Sequence, residues 1–232
     1  KCTHEGVAVS AFFSRGLSRA GVTIVSGMAR GIDRVAHLAG LEGPGRSIAV
    51  MGTGIDIAYP SCNADLYALL SEHGLILSEF APGTSAMASH FPVRNRLISG
   101  LALGVLVVEA ATRSGSLITA RLALDQGREV FAIPGSIHNP LAKGCHALIR
   151  LGAKAVFNAD DILHELAPLL ALEARKALEK RQQEHVKKKK NAPARQTAQE
   201  DHTQALFHSE TVLPEGSLPW IVEPARTREK KR

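Results

Sequence analysis

The run Ser47-Ile48-Ala49-Val50-Met51, followed at once by Gly52-Thr53-Gly54, reads as a strand buried on both faces that closes in a tight turn. Its apolar side chains do not alternate with polar ones, as a half-exposed strand requires. Four further runs have the same character: Val22–Ser26, Leu75–Phe80, Val105–Ala110 and Glu129–Ile133. Their starts lie about 25–30 residues apart with helix-like segments between them, the rhythm of repeated βα units around a parallel sheet. Ala155-Val156-Phe157 adds a short edge strand, and the i, i+3, i+4, i+8 spacing over residues 7–20 predicts an amphipathic helix that stops at Gly21.

Nearly every strand ends in small or turn-forming residues: Ser26-Gly27, Gly52-Thr53-Gly54, Ser78-Glu79, Glu109-Ala110 and Pro134-Gly135. In a parallel sheet these ends line one edge, which is where ligands bind. Three of the connections add guanidinium groups or hydroxyls. Ser26-Gly27-Met28-Ala29-Arg30-Gly31-Ile32-Asp33 carries Arg30, and Arg113-Ser114-Gly115-Ser116 opens a helix. His90-Phe91-Pro92-Val93-Arg94-Asn95-Arg96 sets two arginines ahead of the run Leu97 to Leu103, which predicts a helix with the arginines at its positive end. Several phosphate-friendly turns in a row fit a single strand of nucleic acid better than one small ligand; Phe91 is then either a stacking ring or, as is commoner for an aromatic before proline, a packing residue.

Composition sets the limits. The 232-residue chain is 45% hydrophobic, enough for one α/β domain of roughly 160–170 residues and a further segment. No apolar run approaches the ~20 residues of a membrane span, and the first residues lack a signal-peptide pattern. Cys2, Cys62 and Cys145 are scattered and odd in number, which suits a reducing cytoplasm. The net charge of +6 sits mainly in the second part: residues 1–165 carry 14 Lys+Arg against 13 Asp+Glu, and residues 166–232 carry 14 against 9. A core that binds a polyanion therefore does so through a local patch.

Other chemistries fail on spacing. Gly52-Thr53-Gly54-Ile55-Asp56-Ile57 holds Ile57 where a dinucleotide fingerprint needs its third glycine. There is no Walker-type phosphate loop, no His-Glu-x-x-His and no Gly-x-Ser-x-Gly elbow, and the ten histidines show no metal-ligand spacing. His37 reads as a packed or capping histidine, and Glu79 and Glu109 as carboxylates that bond loop amides. No cofactor and no catalytic residue is expected.

Seven ordered blocks give the chain a family likeness: SGMARGIDRVAH (26–37), SIAVMGTGIDIAYP (47–60), LILSEFAPG (75–83), FPVRNRLISGLA (91–102), VVEAATRSGSLITA (107–120), REVFAIPGSI (128–137) and KGCHALIRLGA (143–153). Over about residues 6–165 the chain resembles the DNA-processing protein A (DprA/Smf) family. The resemblance implies an extended Rossmann-type domain that binds single-stranded DNA, self-associates as a homodimer and helps load a RecA-type recombinase onto incoming strands in natural transformation. It implies no enzymatic activity. Carried over by motif, the DNA-facing residues are Arg30, Phe91, Arg94, Asn95, Arg96 and Lys143, with Gly27, Gly115 and Ser116 giving backbone or hydroxyl contacts. His146 stands where many relatives have asparagine.

The resemblance also sets expectations about what differs. The family domain starts with a strand ending in Gly-Ser-Arg, upstream of the glycine that matches Gly6. That strand is central, so without it a gap is expected between its neighbours. The expected layout is a Rossmann-type core over 1–166, a charged helix over 167–184 and a basic, disordered tail over 185–232 that includes Lys187–Lys190. Residues 171–232 lack the periodicity of the winged-helix domain many relatives carry. Two alternatives compete with DNA binding by the core. One is a nucleotide hydrolase resembling the phosphoribohydrolases, opposed by the lack of paired glycines and a following glutamate at Ser114–Ala120. The other is nonspecific polyanion binding by the tail.

Overall fold

Thr3 accepts the Gly6 amide on its hydroxyl at 2.9 Å, which caps helix α1 (His4–Arg19). The computed structural model describes residues 2–172. The chain divides between Ala167 and Pro168, and the fold concerns the first unit. After α1 follow β1 (Ile24–Ser26), α2 (Ile32–Leu41), β2 (Ser47–Val50), α3 (Ala64–His73), β3 (Leu75–Leu77), α4 (His90–Leu101), β4 (Gly104–Val107), α5 (Gly115–Asp125), β5 (Glu129–Ala132), α6 (Lys143–Arg150) and β6 (Lys154–Ala155). Residues 159–172 are helical. The expected charged helix beyond residue 172 and the tail over 185–232 lie outside the described residues.

All six expected strands form, and every pairing is parallel. They make two three-stranded sheets, β1-β2-β3 and β4-β5-β6. The central strand is the most buried of each sheet, Ser47–Val50 in one and Glu129–Ala132 in the other, as expected of strands covered on both faces. Met28, Ala49, Met51, Leu66 and Leu70 form the core over the first sheet. Val107, Ala120, Ala123, Val130, Ala132, Cys145 and Leu148 form that over the second, where two α5 alanines let the helix lie close to the strands.

Among the described residues no ladder joins β1 to β4. The loop after β1 and the end of β4 meet at the start of α1, where Cys2 lies against Gly31 and Thr3 bonds Glu109. Helix α4 is fixed to the carboxyl ends of β1 and β2 through Arg94, and β4 follows it in the chain. Helix α1 ties the two halves together. It packs along α2, while Thr3 donates through its amide and its hydroxyl to the Glu109 carboxylate just beyond β4. A carboxylate there also faces the positive end of α1.

Within the first half, His37 is fully buried on α2 and joins β2 to the loop after β1. The Ser47 hydroxyl donates to the Ile24 carbonyl at 2.9 Å, so towards His37 it acts as acceptor for Nδ1–H at 2.8 Å. Nε2 is then the bare nitrogen, and it accepts the Met28 amide at 3.3 Å. The ring is neutral because burial holds its pKa down to about 4, with Arg94 also opposing the charge and Asp33 favouring it.

The unfolded chain therefore takes up a proton on His37 between pH 6.5 and 4 that the folded chain refuses, and this share of stability, intact above pH 6.5, is lost as pH falls through that window. In urea unfolding at pH 7.5 and pH 5.0, the wild type should lose about 2 kcal/mol more than His37→Gln does. Equal losses would show that His37 does not carry the slope.

Candidate nucleic-acid interface

The loop from β1 into α2 is held from several sides. Asp33 accepts the amides of Gly27 at 3.1 Å and Ala29 at 3.2 Å on one carboxylate oxygen. Asn63, buried, donates to the Met28 carbonyl at 2.7 Å and accepts from Arg34 at 3.3 Å. Arg34 also grips Asp65 with two hydrogen bonds, of 2.9 and 2.6 Å, and that bonding keeps the Asp65 carboxyl down at about 2. Within this clamp Met28 is fully buried at φ +63°, a left-handed backbone unusual for a residue with a side chain. The result is a rigid loop that leaves Arg30 exposed at the sheet edge.

Helix α4 corrects the sequence reading. It begins at His90 rather than Leu97, because Pro92 falls in its first turn, where a missing N–H breaks no helical bond. Arg94 and Arg96 therefore lie inside the helix, not ahead of its positive end. Arg94 is 5% exposed. Its Nη1 donates to the carbonyls of Gly27 (2.8 Å) and Val50, and its Nε donates to the Asn95 side chain at 3.2 Å. Burial pulls this guanidinium below its ordinary pKa, and the Asp33 carboxylate opposes the shift.

Gly27 is buried as well, with its N–H given to Asp33 and its carbonyl to Arg94. A Cβ on Gly27 would lie 2.6 Å from the guanidinium, so only glycine seats this arginine. Two expected contacts, Arg94 and Gly27, are thus engaged with each other inside the protein rather than presented to a ligand. Arg96 is exposed but ion-paired with Glu79 at the end of β3. Phe91 and Asn95 are half-buried beside it.

At the edge of the second sheet, Ser114 caps α5 by accepting the Ser116 amide at 3.4 Å, and the two hydroxyls lie 2.8 Å apart. Gly115 is exposed and Ser116 half-buried. Lys143 is the exposed first residue of α6, which is anchored where the Gly144 amide donates to the Ala110 carbonyl at 2.8 Å. His146 contacts the Gly135 carbonyl at 2.9 Å and so braces the same loop from within.

Arg30 after β1, Arg96 on α4 and Lys143 at the start of α6 are exposed, and Ser116 is half-buried at the start of α5. Sequence reasoning missed Asn63 and the full reach of Asp33, since neither belongs to a recognisable ligand spacing. His37 packs and Glu109 bonds the Thr3 amide, as read, whereas Glu79, read the same way, is ion-paired with Arg96. Among the described residues no cluster of His, Cys, Asp or Glu could hold a metal, and no helix is long and apolar enough to cross a membrane.

The chain as a whole is similar to known proteins. A family model described as DNA recombination-mediator protein A matches residues 1–167. DNA processing protein DprA of Streptococcus pneumoniae is 48% identical over 164 residues, covering 71% of this chain and 58% of the relative. Protein Smf of Escherichia coli is 55% identical over 155 residues, 66% of this chain and 41% of that protein. The chain thus spans about half the length of these curated relatives.

The X-ray structure of the pneumococcal protein has a TM-score of 0.66 at 47% identity and covers 71% of this chain and 58% of that one. DNA processing protein A of Helicobacter pylori, whose structure addresses its single-stranded DNA binding mode, has a TM-score of 0.67 at 28% identity, with 72% and 76% covered. With its parallel strands, its ordered blocks and a match across the whole described core, the chain belongs to the DNA recombination-mediator protein A family, that of DprA and Smf.

Proposed function

We propose that this chain binds single-stranded DNA along the carboxyl edge of its parallel strands. In this reading it protects incoming strands and helps load a RecA-type recombinase during natural transformation, acting in the cytoplasm as a homodimer. The observation that supports the binding step is a set of exposed cations that follow three of the strands: Arg30 after β1, Arg96 on α4 after β3 and Lys143 at the start of α6 after β5. A set of separated cations suits the repeating phosphates of an extended strand. The Ser114-Gly115-Ser116 helix start supplies amides and hydroxyls to the same backbone.

Arg94, Gly27 and Asn95 serve this reading by positioning. They fix the start of α4 against the strand ends, so that Arg96 stands on a rigid base. The H. pylori relative, characterised for single-stranded DNA binding, supports the choice of ligand. The assembly and recombinase steps rest on family membership.

Binding of a fluorescent oligo-dT to the full chain, followed by anisotropy across a salt series, tests the site. Arg30→Ala, Arg96→Ala and Lys143→Ala should each flatten the log K against log salt slope by about 0.7, the value for one phosphate contact on a single strand. An unchanged slope in the folded triple variant would move binding away from this edge, for example to Lys187–Lys190. Arg94→Ala should instead show up in stability. It leaves two buried carbonyls without their donor, and unfolding should become easier by about 2–4 kcal/mol. Glu79→Gln frees Arg96 from its carboxylate and should tighten oligo-dT binding severalfold at low salt. Weaker binding by that variant would mean Glu79 orients Arg96 rather than competing for it.

A further inference from the structure

We infer that Tyr59 is the ring on which a base of the bound strand stacks, with Phe91 as its backing; this rests on the reading of the edge as a single-stranded DNA site. Phe91 was the ring expected from the sequence, but little of it is available. The Tyr59 ring stacks on it, with centroids 5.6 Å apart and planes 28° from parallel. The Arg94 guanidinium carbon sits 5.9 Å from the Phe91 centroid. Beneath lies Gly52, where a Cβ would come within 2.8 Å of Phe91 Cδ1, so the ring rests on bare backbone at the end of β2.

Phe91 is therefore held by Gly52, Arg94 and Tyr59 together. The neighbouring His90 is fixed too, stacked on Phe80 at 4.3 Å and touching the Gly52 carbonyl at 3.2 Å. Tyr59 closes the series and remains 43% exposed. The other tyrosine, Tyr67, is half-buried and tied through its hydroxyl to the Ile55 carbonyl. An aromatic ring backed by a rigid stack and open to water offers a base an apolar face with little ordering cost, and it accepts any base because every base has a π-face.

The test compares two ligands on the full chain: oligo-dT, and an abasic sugar–phosphate strand of the same length. The wild type should bind oligo-dT more tightly. Tyr59→Ala should weaken oligo-dT binding by roughly five- to a hundredfold while leaving the abasic strand within about twofold, and Tyr59→Phe should retain wild-type affinity. A second measurement needs no variant: irradiation of the wild type with a strand carrying 5-iododeoxyuridine should crosslink to Tyr59.

Equal losses on both ligands, unchanged oligo-dT affinity in Tyr59→Ala, or crosslinking to other residues only would overturn the assignment while leaving the DNA-binding reading in place. A wild type that binds neither strand would overturn both.

Discussion

The hydrogen bonds from Arg94 to the carbonyls of Gly27 and Val50 hold the candidate edge together. They join the ends of two neighbouring strands to the start of a helix that comes from the far side of β3. A buried guanidinium is costly to desolvate, and it is tolerated here because main-chain carbonyls, the Asn95 side chain and the Asp33 carboxylate surround it. Each partner is in turn committed elsewhere: Asp33 holds the Gly27 and Ala29 amides, and Gly27 lies against the arginine itself. Such a network is satisfied as a whole or not at all, which is how a loop with a left-handed Met28 stays in one conformation.

The sheet interruption gives this network a second consequence. With no ladder from β1 to β4 among the described residues, neither strand gains main-chain bonds on its inner side. The halves are joined by side chains and helices: Thr3 to Glu109 across α1, Gln126 to the Arg96 carbonyl at 3.0 Å, and Arg128 to the Gly100 carbonyl at 2.9 Å. Helices α4 and α5 thus meet through bonds that fix where Arg96 stands relative to the start of α5. Alignment of cations from the two sheets depends on a few polar contacts, so changes at Gln126 or Glu109 would be felt at the edge without touching a ligand.

How far the sequence revealed this follows from the physics of each part. Strands such as Ser47–Val50 were readable because burial on both faces demands an uninterrupted apolar run, and the βα rhythm followed from their spacing. The start of α4 was misread because Pro92 signals a turn equally well before a helix and in its first turn. The role of Arg94 was hidden for another reason. Arginine looks the same in sequence whether it faces water or carbonyls, and the one clue, a glycine 67 residues earlier, acquires meaning only when the fold brings the two together. Tyr59 carried no signal at all, since its partner in the stack lies across a loop.

The arginines show how a nearly neutral core can still present a cationic edge. Arg15 is matched to Glu42 and Arg34 to Asp65, both on the outer surfaces of helices, while Arg94 is spent inside. Of the cations left exposed, Arg96 is partly neutralised by Glu79. In the proposed site a contribution besides charge would add to what the cations supply. Base stacking is the contribution that needs no charge and survives high ionic strength. The aromatic stack beside Arg94 stands on the same rigid base as the cations, so one buried guanidinium sets the geometry of both kinds of contact.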